Sequence, residues 1–127
     1  MLGIFYFLIL ICFLVFSTIK PGCAYLGCFI CFVVLQLCYN RLTGSIPTQL
    51  GSLRKLSVLA LQSNQLTGAI PANLGDLGML MRLDLSFNHL FGSIPRKLAD
   101  APLLEVLDIR NNTLSGSVPP GNHVSTT

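Results

Sequence analysis

Asn64-Gln-Leu-Thr-Gly-Ala-Ile-Pro71 recurs 24 residues on as Asn88-His-Leu-Phe-Gly-Ser-Ile-Pro95, and again as Asn112-Thr-Leu-Ser-Gly-Ser-Val-Pro119. One period upstream stands Asn40-Arg-Leu-Thr-Gly-Ser-Ile-Pro47, so Asn40, Asn64, Asn88 and Asn112 are evenly spaced without a slip. Self-similarity at one fixed period signals a chain built of stacked units, none of which buries its apolar face alone.

Outward from each asparagine, apolar residues fall at constant distances. They are Leu53, Leu56, Leu59 and Leu61 before Asn64, then Leu77, Leu80, Leu83 and Leu85 before Asn88. Ala101, Leu104, Leu107 and Ile109 precede Asn112, and Phe29, Phe32, Leu35 and Leu37 precede Asn40. The last two of each set lie two residues apart, which puts both side chains on one face of a short strand. The asparagine amide can donate and accept, and a buried amide needs both kinds of partner, which adjacent coils can supply. A buried asparagine ladder is therefore expected at 40, 64, 88 and 112. The glycine four residues later suits a bend with positive φ, and the proline fixes an extended segment. Pairs such as Leu74 and Leu77 predict a return on a helical or 3₁₀ turn. A degenerate first coil reaches back to Leu26-Gly27, which match Leu50-Gly51. Each buried leucine contributes about 1.5–3 kcal/mol, so a column shared by four coils is near the lower limit for an independent fold.

The N-terminal quarter is different. The whole chain is 52% hydrophobic and 10% charged, against roughly 25% charged in an average soluble domain. That excess is concentrated before Tyr39, where all five cysteines lie and Lys20 is the single charge. Ile4 to Phe16 is an unbroken apolar run, the length of a signal-peptide core, and Gly22 and Ala24 resemble a cleavage site. Residues 1–24 are therefore expected to be a signal peptide cleaved after Ala24. The alternatives are an uncleaved membrane anchor contacting lipid through residues 2–19, or a segment foreign to the repeats. Cys28-x-x-Cys31 has no second cysteine pair or paired histidine, so it reads as part of an apolar segment rather than a metal or redox site.

The net charge of +3 is small and dispersed. The pairs Arg54-Lys55 and Arg96-Lys97 are isolated, which argues against nucleic acid. No Ser/His/Asp or Cys/His set, metal-ligand cluster or paired carboxylate stands out, so no enzyme, cofactor or metal is expected. The kinase signatures His-Arg-Asp and Asp-Phe-Gly are absent. Asn111-Asn112-Thr113 is the only glycosylation sequon, with Asn111 expected exposed and Asn112 buried.

The string Leu-x-x-Leu-x-x-Leu-x-Leu-x-x-Asn-x-Leu-x-Gly-x-Ile-Pro resembles the repeat of plant-type leucine-rich-repeat ectodomains. These belong to receptor-like kinases, receptor-like proteins and polygalacturonase-inhibiting proteins. The resemblance covers about residues 25–120, with 121–127 expected as a disordered tail. It implies a curved α/β solenoid of about four coils, a parallel sheet on the concave face and a lateral strand from the Leu-Thr-Gly-Ser-Ile-Pro segment. An apolar N-terminal helix is expected to precede it. The family's usual N-terminal cap, with a cysteine pair and a tryptophan, has no counterpart here: the chain has no Trp. The resemblance also implies a chain that traverses the secretory pathway to the plasma membrane, the cell exterior or the cell wall. There it would bind a protein or peptide ligand, a co-receptor ectodomain among them. Inhibition of a pathogen wall-degrading enzyme, or a truncated paralogue without function, are the other readings.

On such a scaffold the positions six, four, two and one before each asparagine face the concave side. The expected partner-contacting residues are Tyr39, Gln62, Arg82, Asp84, Phe87, Asp108 and Arg110. Tyr39 and Phe87 are candidate aromatic anchors. Arg82, Asp84, Asp108 and Arg110 are expected to form a mixed-charge cluster across two neighbouring strands, whose other role would be to register the sheet.

Overall fold

The structure, a computed structural model, describes residues 33–119. The expected N-terminal helix, the signal or anchor segment, Cys28-x-x-Cys31 and the tail lie outside these residues.

Each period forms one coil. Strands β1 (Val33–Gln36), β3 (Leu56–Ala60), β5 (Arg82–Asp84) and β7 (Val106–Asp108) pair in parallel, in that spatial order. The register advances by one period: Leu35 pairs with Leu59, Leu59 with Leu83, and Leu83 with Leu107. Strands β2 (Thr43–Ser45) and β4 (Gln65–Thr67) make a second, two-stranded parallel sheet, and β6 (Phe91–Gly92) with β8 (Thr113–Leu114) makes a third. The lateral strand implied by the motif is therefore present as two short pairs rather than one continuous sheet. Coils return on 3₁₀ turns at Thr48–Ser52 and Ala72–Asp76, and on one α-turn at Arg96–Ala99. Each follows a proline in extended conformation that cannot donate to the turn.

The repeated apolar positions supply the core. Leu59, Leu74, Leu77, Leu80, Leu83, Leu85, Leu90 and Leu107 are completely inaccessible, and Leu61 and Leu66 nearly so. They belong to a single cluster running through all coils. At the last coil Ile109 and Leu114 are only partly buried, because among the described residues no strand lies beyond β7 and β8.

The asparagines form the expected ladder. Asn64 Oδ1 accepts from the Leu42 N–H at 3.0 Å, while its Nδ2 donates to Leu37 O and Leu61 O at 3.0 Å each. Asn88 repeats this with Leu66 N–H, Leu61 O and Leu85 O, and Asn112 with Leu90 N–H, Leu85 O and Ile109 O. Burial is not uniform along the row, which corrects the expectation of four buried asparagines. Asn64 and Asn88 are 7% and 4% exposed. Asn112 is only half-buried, being in the last described coil, and Asn40 is exposed, donating among the described residues to Leu37 O and Cys38 O of its own coil.

Gly44, Gly68, Gly92 and Gly116 have φ of 80 to 83°, as the bend requires. A second set of left-handed residues is not signalled by the motif. Tyr39, Ser63, Phe87 and Asn111, each immediately before a ladder asparagine, have φ of 53 to 57°. The chain must turn there to drive the next side chain inward.

Candidate functional site

Alternation along each strand separates two roles. Leu59, Leu83 and Leu107 point into the core, so their neighbours Val58, Arg82 and Val106 point away from it. Across the sheet, Val34, Val58, Arg82 and Val106 stand in register as one row: three valines and one guanidinium. The next row is Gln36, Ala60, Asp84 and Asp108. Beyond it run Cys38, Gln62, Ser86 and Arg110, in the same repeat position.

These rows shape a groove of about 380 Å³ lined by Val34, Gln36, Cys38, Val58, Ala60, Gln62, Arg82 and Asp84. All eight occupy variable positions of the concave face. Arg82 and Val34 are exposed. Gln62 Oε1 is buried and accepts no hydrogen bond among the described residues. The Cys38 thiol is half-buried and not in a disulfide.

Arg82, Asp84, Asp108 and Arg110 lie close enough across β5 and β7 to feel one another's charge, but they do not pair across the sheet. Among the described residues no ion pair joins β5 to β7. Arg110 instead bonds Asp108, two residues earlier on its own coil, through Nε and Nη2 at 2.7 to 3.1 Å. Residues two apart on an extended chain share a face, which makes this pair local. The Arg110 hydrogen bond holds the Asp108 carboxyl below its ordinary range, against burial, with a smaller pull from the charge of Arg82. The same bond raises Arg110. Asp84 is 6% exposed and accepts from the Ser86 N–H at 3.1 Å and the Ser86 hydroxyl at 2.7 Å. Asp84 and Asp108 are register neighbours, so each carboxylate is satisfied within its own coil rather than by an opposite charge across the sheet. The consequence is that the Arg82 guanidinium projects into the groove without an ion-pair partner among the described residues.

Of the expected contact residues, Gln62, Arg82 and Asp84 converge on the groove. Asp108 and Arg110 lie beside it as a closed pair. Tyr39 and Phe87, 78% and 53% exposed, sit at its edge, where the concave strands turn toward the lateral sheets. Phe91, 55% exposed, is an aromatic that the repeat reading passed over. It stands where the other motifs have Thr43, Thr67 and Ser115, and that departure was its signal in the sequence. Asn111 is exposed, as expected.

Among the described residues no cluster of three metal-ligating side chains occurs, and no helix is long and apolar enough to cross a membrane.

Family models for leucine-rich repeats match residues 33–90 and 103–123. A search of curated proteins gives no match. Among solved structures, the chain is similar to PEPR1 in the crystal structure of PEPR1–AtPEP1, at 41% identity and a TM-score of 0.66, over 68% of this chain and 12% of that one. It is similar to a chain of the BIR3–SERK2 complex from Arabidopsis thaliana, at 42% identity and a TM-score of 0.65, over 67% and 46%. A third is the Arabidopsis receptor kinase structure of HAESA with the peptide hormone IDA and the co-receptor SERK1, at 44% identity and a TM-score of 0.64, over 67% and 14%. The chain thus spans less than half the length of each of these three.

Proposed function

Because this chain belongs to the leucine-rich-repeat family, with repeats of the kind found in plant receptor ectodomains, we propose that it is a non-catalytic recognition module. It takes an extended peptide, or the edge of a co-receptor ectodomain, on its concave face. The observation that carries this reading is the groove over β1, β3 and β5, where an apolar floor meets one guanidinium that has no ion-pair partner among the described residues. Val34, Val58 and Ala60 offer apolar area, and Arg82 offers a planar donor fork suited to a carboxylate. The Gln62 side chain lines the same groove, with its buried Oε1 accepting no hydrogen bond among the described residues. Asp84 is already engaged by Ser86, so it does not neutralise Arg82 at contact distance.

The structures of PEPR1–AtPEP1 and of HAESA with a peptide hormone and a co-receptor support this assignment of partner class. The location that goes with this reading is the plasma membrane, the cell exterior or the cell wall, reached through the secretory pathway with residues 1–24 as signal peptide or membrane anchor. The module then contributes one part of a recognition surface, through Gln62, Arg82 and Asp84 in the groove and Tyr39 and Phe87 at its edge.

The test is surface plasmon resonance of the immobilised chain against a display-selected panel of extended peptides. Binders are expected to lose at least tenfold in affinity on Val58→Arg, which fills the groove floor, with the melting curve unchanged. Binders indifferent to that substitution would move the site elsewhere on the solenoid.

A further inference from the structure

We propose that Asn111 carries an N-linked glycan whose innermost sugars rest on a ledge made by Phe87 and Phe91 of the preceding coil. The inference rests on the secretory location proposed above, and three independent features of the fold meet at this point.

The first is an aromatic pair that the fold does not use. Phe87, His89 and Phe91 all point outward, while Asn88 and Leu90 between them are buried. The same three positions hold Ser63, Gln65 and Thr67 one coil before, and Asn111, Thr113 and Ser115 one coil after. Core packing therefore does not demand phenylalanine at either place. At Phe87 the choice runs against backbone preference as well. Its φ is 54°, a region that bulky residues avoid and asparagine tolerates. About half of each ring is nevertheless left in solvent.

The second feature is what lies beside the ledge. Phe91 is the register partner of Thr113 in the β6–β8 pair. The Phe87 N–H donates to Arg110 O at 2.9 Å, which sets Asn111 alongside Phe87 at the inter-strand spacing of about 4.8 Å. The two flanking residues, Asn111 and Thr113, are the first and third of the sequon. Asn111 is exposed, and its side chain makes no hydrogen bond among the described residues.

The third is chemical fit. A pyranose presents a face of C–H groups on one side and hydroxyls around its rim. The C–H face packs on a phenyl ring while the hydroxyls stay in water, and such contacts combine apolar burial with weak C–H interactions. In the transfer step the Asn111 amide nitrogen attacks the anomeric carbon of a lipid-diphosphate-linked oligosaccharide. The new C–N bond replaces the C–O bond to the diphosphate, which departs with its lipid, and the amide gives up one proton. In the folded coil the exposed Thr113 also donates its hydroxyl to Leu90 O at 2.9 Å, which fixes the third sequon residue beside Phe91.

The experiment is translation of the full chain with endoplasmic-reticulum microsomes, scored for protease protection and for an endoglycosidase-sensitive mass step, followed by thermal melts of protein secreted from eukaryotic cells. One glycan is expected on the imported wild type and none on Asn111→Gln. Enzymatic removal of the glycan is expected to lower the wild-type Tm by about 4 °C. In Phe87→Ser with Phe91→Thr, residues that neighbouring coils carry at these places, the glycan remains but its removal shifts Tm by no more than about 1 °C. An imported, protease-protected chain without the mass step overturns the inference and leaves the secretory reading intact. A chain that remains protease-sensitive overturns both. Equal Tm losses in wild type and the double variant eliminate the ledge and leave the rings to another partner.

Discussion

Replacing Asn88 by alanine tests the ladder where it is most buried. Its Oδ1 is the acceptor for the Leu66 N–H at 3.0 Å, and its Nδ2 donates to Leu61 O, Leu85 O and Ser86 O at 3.0, 3.1 and 3.2 Å. Leu61, Leu66 and Leu85 are at most 2% exposed, so water cannot take over these bonds without opening the coil. Leu61 O keeps the Asn64 Nδ2 donor, Leu85 O that of Asn112 and Ser86 O the Ser63 N–H, so the Leu66 N–H is the group left orphaned. An orphaned buried polar group costs about 1–3 kcal/mol, and the lost Nδ2 bonds put Asn88→Ala in the upper part of that range, about 2–3 kcal/mol. Set against a total of about 5–15 kcal/mol for a small domain, that is on the order of a quarter of the stability. Asn112→Ala removes chemically identical bonds from a half-buried position, where solvent compensates, and is expected to cost about 1 kcal/mol. Urea unfolding followed by circular dichroism, with the slope held constant, reads both values. A loss below about 1 kcal/mol at Asn88, or equal losses at the two sites, would refute the argument that burial of the ladder sets its worth.

The remaining expectations concern packing, acid and the groove. Gly75→Ala drives a methyl into the Lys97 backbone carbonyl and should cost about 1–3 kcal/mol, whereas Gly78→Ala meets open space and should be nearly neutral; paired thermal melts decide it. Asp108 has its folded pKa held below the ordinary 3.8, so its contribution is complete above that value and is lost as pH falls through the folded value. Tm should therefore be flat from neutral pH to about 5 and fall below about 4, with Asp108→Asn showing a lower plateau and a shallower acid limb. Arg82→Val should leave Tm unchanged or slightly higher, by gaining a cross-strand β-branched contact of about 0.2–1 kcal/mol, while weakening carboxylate-bearing peptides at the groove. A clear loss of stability on Arg82→Val would make the arginine a structural residue instead.

The column of leucines and the asparagine row were legible because both repeat at fixed distance and every copy serves the same contact. What escaped was set by interactions within one coil. The left-handed turn before each asparagine is occupied by Tyr39, Ser63, Phe87 and Asn111, of which only Asn is a known signal for that conformation. Asp84 and Asp108 looked like partners for Arg82 and Arg110 across the sheet. The shorter route wins, because Ser86 and Arg110 stand two residues on from each carboxylate and share its face, so no second strand has to be brought up. Uneven burial along the ladder was also invisible in the spacing, since the same residue at the same repeat position is buried at Asn88 and only half-buried at Asn112.

The repeat itself separates stability from recognition. In β5 the core takes Leu83, while Arg82 on its outer side is exposed and released from packing demand, and Asp84 is covered and held by Ser86. Mutations at such released positions leave the column intact, so their identity can change from coil to coil without loss of fold. It follows that information about partners resides in departures from the row average rather than in the motif. Arg82 among Val34, Val58 and Val106 is one such departure, on the concave face. Phe91 among Thr43, Thr67 and Ser115 is another, on the flank. The two lie on opposite sides of the turn at Phe87, so a peptide can occupy the groove while the flank carries a second contact, and neither has to disturb the leucines between them.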